Sequence, residues 1–357
     1  MASRLPPFLA ICLAGLAAGG EPTCAEGTAG VPVMSLASVD PAEIDRALRE
    51  VGFLAIVDHG VDERVIDAAW RTAAEWFSRP REEKARAPLL GPDYPYGYSP
   101  LHSEAHPGSE DDARARAPGD GPPTLADEKE MLCIGPENGV APARRWPEQS
   151  DELRVAWLAY FDAMVALSDR ILELFARALR LDDDGWFSHF NRRHASALRA
   201  INYPALDADL APGQLRSSAH TDYGALTILR VGGPGLQIFN RAGAWVDVPS
   251  IEPHNGSAFV INLGDLMSRW TNNRWLSTPH RVVVPPRAPD TRAFADARQA
   301  LAFFHNMDMD ALIETIPTCR EEGAPLRYAP ILAGEHLMKK HEAATRGEAL
   351  NIYAATA

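Results

Sequence analysis

The chain has 357 residues, 46% of them hydrophobic, and carries a formal net charge of −13 at pH 7. Its length and composition are sufficient for a sizeable buried core, and the absence of an internal period of about 20 to 50 residues excludes a repeat architecture. The acidic balance argues against a nucleic-acid partner, since proteins that bind nucleic acids carry basic surfaces.

Residues 1–30 have the outline of a leader. Arg4 precedes an apolar run that extends from Leu5 to Ala18, as in a secretory signal peptide, although a single positive charge and two prolines weaken the match. Beyond this segment no apolar run approaches the ~18 residues of a membrane span, so no membrane partner is expected. The cysteines show neither metal-type spacing nor a dense disulfide pattern, which favours a reducing compartment: Cys12, Cys24, Cys133 and Cys319. We therefore expect a cytoplasmic protein with an N-terminal extension, and export as the alternative.

Apolar residues at intervals of three and four predict helices over residues 41–51, 63–77 and about 148–181. The third helix carries a wide apolar stripe, including Trp157 and Tyr160, that would pack on a sheet as part of the core. An apolar strand that contains Cys133 is expected at 129–134. The N-terminal half is thus expected to be rich in helices.

Between the second helix and the strand at 129–134 lies an irregular segment, residues 88–126, rich in Pro, Gly, Asp and Arg. A loop of this length in a compact domain is usually functional or disordered. The segment contains Tyr98 and Glu104, which the family resemblance described below makes candidate substrate-pocket residues. The alternative is a surface loop whose tyrosines serve only packing.

Short β-rich segments at close spacing dominate the C-terminal half. They cover residues 225–229, 235–239, 245–248, 259–265, where the strand ends in a turn, and 298–306, with turn residues such as Gly232-Gly233-Pro234-Gly235 between them. This pattern predicts an all-β sandwich or barrel core.

Two histidines and an aspartate form the main candidate site. His220 and Asp222 stand two positions apart, so on a strand both side chains project to one face, and His280 follows far along the chain. Two imidazoles and one carboxylate are the ligand set of mononuclear non-haem iron(II) sites. Zinc accepts the same donors, but no His-Glu-x-x-His general base accompanies them, which favours iron. His254 and His305 are interpreted as structural or exposed histidines.

The strand predicted at 298–306 begins with Arg298. Alternation places Arg298, Ala300 and Phe304 on the same face. A buried arginine needs an anion, and a carboxylate matches its planar fork. A plain salt bridge is the alternative interpretation.

Several motifs in order resemble the isopenicillin N synthase-like branch of the iron(II)/2-oxoglutarate-dependent oxygenases. The resemblance covers about residues 31–345 and rests on these segments: Val31–Leu36, Gly52–Val61, Ala219–Gly224, Leu236-Gln237, Asn262–Asp265, Thr271-Asn272 and His280–Val282. It implies a mainly β fold with flanking helices around a double-stranded β-helix (jelly roll). One oxygenase unit at 31–345 is expected, with a helix-rich part at 31–190, a jelly-roll core at 191–310, a helical part at 311–345 and a tail at 346–357.

The resemblance also implies an activity. Fe(2+) would be held by His220, Asp222 and His280, and the far carboxylate of the co-substrate 2-oxoglutarate by Arg298 with Tyr203. With O2, a small-molecule substrate would be hydroxylated or desaturated, releasing succinate and CO2. Tyr98 and Phe304 would line the substrate pocket, and no side-chain acid or base is required beyond the metal ligands.

Two departures from the family pattern concern the co-substrate end. Ala300 replaces the serine of the usual Arg-x-Ser motif, and residues 287–297 form an apparent insertion before Arg298. These departures leave open an oxidase or ring-forming enzyme that does not require 2-oxoglutarate, or fragmentation of 2-oxoglutarate itself. A binding protein on a degenerate oxygenase fold is a further alternative, which the intact triad opposes.

Overall fold

The computed structural model describes residues 30–91, 95–103, 125–249, 251, 256–285, 297–320, 323 and 325–346. The leader, the candidate residues Glu104 and His254, and nearly all of the expected insertion at 287–297 lie outside these ranges. In the described part, a jelly-roll core of two main sheets is flanked by helices, as expected for the fold class.

The larger sheet has eight strands in the order β1-β2-β10-β7-β12-β5-β4-β3. Its strands are β1 (Val33–Ser35), β2 (Phe53–Val57), β3 (Gly97–Ser99), β4 (Glu130–Ile134), β5 (Ala197–Tyr203), β7 (Leu226–Gly232), β10 (Phe259–Leu263) and β12 (Arg298–His305). The smaller sheet has the order β6-β11-β8-β9, with β6 (Ser217–His220), β8 (Leu236–Phe239), β9 (Trp245–Asp247) and β11 (His280–Val282). A separate pair is formed by β13 (Leu312–Ile313) and β14 (Ile331–Leu332).

The helices are α1 (Pro41–Glu50), α2 (Glu63–Phe77), α3 (Arg81–Lys84), α4 (Asp151–Ala178), α5 (Asp265–Trp270) and α6 (Ala333–Arg346). The first two begin at capping aspartates: Asp40 accepts a hydrogen bond from the backbone N–H of Ala42, and Asp62 one from that of Arg64, each at 2.9 Å. The three helices predicted from periodicity correspond to α1, α2 and α4. Within the described ranges, none of the helices combines the length and apolarity needed to cross a membrane.

The two faces of the larger sheet have different neighbours. On one face, helices α1, α2 and α4 build the main hydrophobic core, which includes Leu301 and Phe303 of β12 together with Trp157 and Tyr160 of α4. The prediction that the α4 stripe is core is therefore confirmed. The opposite face packs against the smaller sheet and forms a second apolar cluster with it. This cluster includes Tyr203 of β5. We call this opposite face the inner face; alternation along β12 turns Arg298, Ala300, Ala302 and Phe304 toward it.

Candidate metal centre and co-substrate pocket

The three predicted metal ligands meet at one end of the smaller sheet. His220 is the last residue of β6 and His280 the first residue of β11, and the two residues stand opposite each other in an antiparallel pair, with ring centroids 4.4 Å apart. The Asp222 Oδ1 atom lies 4.0 Å from His220 Nε2 and 3.8 Å from His280 Nε2. All three ligand atoms fall within 4.8 Å of one another. Inward shifts of about 1 Å would bring them to the ~3 Å separation that donors ~2.1 Å from one ion require on a shared face.

Hydrogen bonds orient both imidazoles for metal binding. His220 Nδ1 lies 2.8 Å from the carbonyl oxygen of Ser218, and His280 Nδ1 lies 3.2 Å from that of Thr278. A carbonyl oxygen only accepts, so Nδ1 is the protonated nitrogen in each ring. The lone pair of each Nε2 is then directed toward Asp222 and is available to a metal.

The carboxylate of Asp222 is held by its other oxygen. Oδ2 accepts a hydrogen bond from Thr227 Oγ1 at 2.5 Å and one from Asn262 Nδ2 at 2.6 Å. The donors come from the central strands β7 and β10 and are themselves buried. Because both bonds go to Oδ2, Oδ1 remains directed toward the two histidines. The motif containing Asn262 was recognised in the sequence, but this role of its side chain was not predicted.

The close packing around Gly264 explains why the Asn-Leu-Gly-Asp motif has a glycine at this position. A Cβ at this position would lie 2.3 Å from the carbonyl oxygen of Gly224 and 2.9 Å from that of Asp222. Real Cβ atoms do not approach backbone oxygens so closely, so a side chain would push the Asp222 loop away. Glycine therefore lets the turn after β10 pack directly on the loop that carries the carboxylate ligand.

The segment before His280 is anchored to the N-terminal part of the chain. Thr278 Oγ1 donates a hydrogen bond to the carbonyl oxygen of Val51 at 2.6 Å. Phe53, on the inner face of β2, packs its ring edge against the His280 imidazole at a centroid distance of 5.5 Å. These contacts fix the third ligand from elements other than the strands that hold Asp222.

Arg298 and Tyr203, the predicted co-substrate pair, are neighbours on the inner face. They stand directly opposite each other on β12 and β5, and the guanidinium carbon lies 4.9 Å from the centre of the tyrosine ring. Arg298 is only 5% exposed, and its burial lowers the pKa of the guanidinium. Nε makes one long hydrogen bond, 3.4 Å, to the carbonyl oxygen of Gly233, whereas Nη1 has no hydrogen-bond partner among the described residues.

A buried guanidinium with unused donors is costly unless an anion completes it. Among the described residues, Nη1 of Arg298 has no hydrogen-bond partner and is therefore available to an anion. The far carboxylate of 2-oxoglutarate fits this arginine in charge and geometry.

Ala300 lies two positions farther along β12, between Ile201 of β5 and Val231 of β7. It is 1% exposed and supplies no hydroxyl to the inner face. Where the Arg-x-Ser motif has a serine hydroxyl, this chain therefore has the buried methyl group of Ala300.

Phe304 lies on the inner face at the level of the metal centre. It stands opposite Thr227, whose hydroxyl donates to Asp222, and it remains partly exposed. The guanidinium carbon of Arg199 lies 5.4 Å from the centre of the Phe304 ring. Arg199 was not predicted as a site residue. Alternation along β5 from Tyr203 would have assigned it to the inner face, because the two positions differ by an even number.

Tyr98 lies on the other face of the sheet, contrary to the pocket prediction. In register it stands opposite Leu132 of β4, which stands opposite Ala200 of β5, and all three belong to the helix-side core. The Tyr98 hydroxyl donates to Glu130 Oε2 at 2.5 Å, and its ring packs edge-on against Trp76. The segment does carry a strand, β3, but its phase turns this tyrosine away from the metal.

His305 is a structural histidine, as interpreted from the sequence. It is fully buried, and its ring nitrogens lie 3.2 Å from Ser196 Oγ and from Asn191 Nδ2. Burial lowers its pKa to about 3. The ring is therefore neutral at physiological pH and lies on the helix side of β12.

Comparisons with known proteins agree with this architecture. Residues 195–307 match the family described as the 2OG-Fe(II) oxygenase superfamily, and residues 31–150 match the N-terminal region described as that of a non-haem dioxygenase in morphine synthesis. The 2-oxoglutarate-dependent dioxygenase frbA of Dothideomycetidae sp. (strain 11243) is 31% identical over 289 residues, covering 78% of this chain and 83% of the relative. Validamycin A dioxygenase of Streptomyces hygroscopicus subsp. limoneus is 29% identical over 339 residues, covering 88% and 86%.

Solved structures give the same result. A full-length Neurospora crassa protein crystallised in complex with alpha-KG, that is, 2-oxoglutarate, superposes with a TM-score of 0.76 at 26% identity, covering 89% of this chain and 99% of that one. The complex of the same protein with alpha-KG and thymine gives 0.74 at 27% identity, covering 88% and 96%. Fold and site define an oxidoreductase that uses iron(II), 2-oxoglutarate and O2. The chain belongs to the 2OG-Fe(II) oxygenase superfamily, as its sequence motifs indicated.

Proposed function

We propose that this dioxygenase hydroxylates or desaturates a small molecule at a site built from five residues. His220, Asp222 and His280 hold iron(II), while Arg298 and Tyr203 hold the far carboxylate of 2-oxoglutarate. The observation that carries the proposal is the buried Arg298 on the inner face, whose Nη1 has no hydrogen-bond partner among the described residues. The donor set at the metal centre supports the iron assignment.

The bound groups supply the oxidising chemistry: iron(II), 2-oxoglutarate and O2 together oxidise a C–H bond of the substrate and yield succinate and CO2. The protein contributes geometry. Asn262 and Thr227 hold Asp222 Oδ2, which keeps Oδ1 directed at the ion. Arg298 orients the co-substrate from its far end, since a bidentate contact fixes both position and rotation. No side chain is required to move a proton.

The substrate side of the site is assigned to Phe304 and Arg199. Both side chains lie on the inner face at the level of the metal, and together they present an aromatic ring beneath a guanidinium. Such a pair suits a small molecule with a planar or apolar part and a hydrogen-bond acceptor. The structurally similar Neurospora crassa protein has been crystallised with thymine, which is consistent with a small-molecule substrate.

Anaerobic titration tests the co-substrate assignment. Purified protein is mixed with iron(II) and then 2-oxoglutarate, and the expected result is a weak visible charge-transfer band that requires both. Asp222→Ala is expected to abolish the band, and Arg298→Met to shift its appearance to much higher 2-oxoglutarate. No band in the wild-type protein would favour the 2-oxoglutarate-independent oxidase that Ala300 left open.

Turnover tests the reaction. Candidate small molecules are screened for stimulated succinate release, and products are analysed by mass: a gain of one oxygen indicates hydroxylation, and a loss of two hydrogens indicates desaturation. Succinate formed without any substrate oxidation, at the same rate with every compound, would instead indicate consumption of 2-oxoglutarate itself.

We further propose a cytoplasmic location. Support comes from the need for 2-oxoglutarate and iron(II) and from Cys133 and Cys319, which are both buried thiols. Fractionation of producing cells with an antibody to the protein tests this. Recovery of a shortened chain outside the cytoplasm would show that residues 1–30 act as an export signal.

A further inference from the structure

The end of β6 and the loop after it carry the proposed ligands His220 and Asp222. This segment is held by Asp265, the first residue of α5. Its backbone N–H donates to the carbonyl oxygen of Asp222 at 2.8 Å. Its side-chain Oδ2 accepts a hydrogen bond from Thr221 Oγ1 at 3.0 Å. Thr221 stands between His220 and Asp222, so Asp265 holds the middle residue of the His-x-Asp motif.

Asp265 is itself held from the C-terminal helix. Lys340 Nζ of α6 lies 2.5 Å from the same Oδ2 atom, and the two side chains are 4% and 0% exposed. A fully buried carboxylate is retained only when an opposite charge or several donors compensate it. Lys340 supplies that charge from a helix that follows every strand of the core along the chain.

Helix α6 makes further contacts with the same loop. His336 Nε2 lies 3.2 Å from the carbonyl oxygen of Tyr223, the residue after Asp222. Lys340 Nζ lies 5.4 Å from the centre of the Tyr223 ring, and the ring of His341 packs edge-on against it at 5.3 Å. Three residues of α6, namely His336, Lys340 and His341, therefore contact Tyr223. Tyr223 lies in the loop that follows β6, whose last residue is the proposed ligand His220.

We propose that Lys340 is a positioning residue of the metal centre, acting through Asp265 on Thr221. The C-terminal helix thereby serves as a brace that keeps His220 and Asp222 in their mutual geometry. This inference rests on the proposed ligand set. Without the lysine, Oδ2 of Asp265 loses the ammonium group that lies against it, and its hold on Thr221 weakens. The ligand loop must then be ordered when metal binds, and affinity falls.

Lys340→Met tests the brace, because methionine keeps much of the stem volume and removes the charge. Affinity is measured anaerobically with iron(II) against a competing chelator, and geometry is measured from the visible absorption of the cobalt(II)-loaded protein. We expect a loss of metal affinity of about 10- to 100-fold, the range found when groups supporting metal ligands are removed. An altered cobalt spectrum is expected as well. Lys340→Arg, which retains the charge, is expected to restore most of the affinity.

Two lysines of the same chain provide matched controls. Lys339 is half exposed and pairs with Glu335 on the surface of the same helix, at 2.7 Å. Lys84 is buried like Lys340 and pairs with the buried Glu130 at 2.8 Å, at the far edge of the larger sheet. Lys339→Met controls for the helix and Lys84→Met for the loss of a buried ion pair. Both are expected to bind metal within about threefold of wild type, although Lys84→Met lowers stability.

Further outcomes decide the inference. Unchanged metal affinity and an unchanged cobalt spectrum in folded Lys340→Met overturn it, as does an equal loss in Lys84→Met. If Lys340→Met does not fold, the double variant Asp265→Asn/Lys340→Met removes both charges, and its affinity is expected to remain low; wild-type affinity in the double variant overturns the brace. Asp222→Ala is titrated in parallel. If Asp222→Ala loses metal binding while Lys340→Met keeps wild-type affinity, the brace is refuted and the ligand set stands. If Asp222→Ala still binds metal, both the ligand set and the brace are refuted.

Discussion

Arg298→Met is expected to weaken 2-oxoglutarate binding strongly while sparing the fold. Nε makes a long hydrogen bond, 3.4 Å, to the carbonyl oxygen of Gly233, and the side chain of Tyr203 is a second hydrogen-bond partner. Nη1 has no hydrogen-bond partner among the described residues. The remaining donors of the guanidinium are directed into the inner face, beside Tyr203. A bound carboxylate would therefore receive most of what this arginine can donate.

The magnitude follows from the charged contact that is removed. A hydrogen bond to a charged group contributes about 1.5–3 kcal/mol, and breaking a buried bidentate pair costs about 3–5 kcal/mol. At about 1.4 kcal/mol per tenfold, the apparent KM for 2-oxoglutarate should rise by about 100- to 4000-fold. Arg298→Lys keeps the charge and loses the fork, so a smaller rise, about 10- to 100-fold, is expected. At saturating 2-oxoglutarate, kcat should change far less than KM.

Stability separates a co-substrate anchor from a structural ion pair. Burial lowers the pKa of Arg298, which means that the folded protein is destabilised by keeping the charged form. Removing it should leave the ligand-free protein as stable as wild type or more so, whereas removal of one member of a buried ion pair costs about 3–5 kcal/mol. Thermal melts without ligand measure this difference.

Arg230→Met provides the matched control for these measurements. Arg230 lies on the neighbouring strand β7, opposite Leu301 and therefore on the helix side, with its guanidinium over Trp70. Its replacement should not change the KM for 2-oxoglutarate. An unchanged KM in Arg298→Met, or a large loss of stability without a change in KM, would refute the assignment of this arginine to the co-substrate.

The remaining predictions concern the same face and the core behind it. Ala300→Ser restores a hydroxyl beside Arg298 and should lower the apparent KM for 2-oxoglutarate about fivefold, for a gain of ~1 kcal/mol; a raised KM would mean that this pocket has no room for the donor. Asn262→Ala and Thr227→Val each remove one donor from Asp222 and should lower iron(II) affinity by about 10- to 100-fold, measured by chelator competition. His305 has its pKa lowered by burial to about 3, from an ordinary value of 6.5, so the unfolded chain binds more protons and stability falls as the pH drops below 6.5. Urea unfolding between about pH 7 and 5 should show a slope approaching ~1.4 kcal/mol per pH unit from this residue, and a stably folded His305→Gln should show a shallower slope.

That His220, Asp222 and His280 come together could be predicted in part from local rules. His220 and Asp222 share a face by the period of the strand, and the β-rich segments around them are visible in the residue pattern. Arg298 and Tyr203 also follow from alternation once the strands are placed, since the two residues stand opposite each other. Here each inference needs only the identity and phase of a strand.

Other features could not be predicted because they depend on distant segments or on an unrecognised strand phase. Tyr98 was assigned to the pocket from its position in an irregular segment, but β3 turns it to the helix side, where it bonds to Glu130. Lys340 and Asp265 meet only in the folded chain, and a lysine on a C-terminal helix ordinarily indicates a solvated face. The pattern along the sequence gives no distance between such elements.

The hydrogen bonds that hold the candidate metal ligands come from groups other than the proposed substrate residues Arg199 and Phe304. The atoms that do not bind metal are tied down: His220 and His280 through Nδ1 to backbone carbonyl groups, and Asp222 through Oδ2 to β7 and β10. Arg199 and Phe304 contact each other on the inner face, and Phe304 stands opposite Thr227, which donates to Asp222. If Arg199 and Phe304 line the substrate pocket as proposed, replacing them is expected to change which molecule binds and to leave the candidate ligand set in place. The names of two similar proteins, at 29% and 27% identity, refer to different small molecules, validamycin A and thymine, which is consistent with such a division.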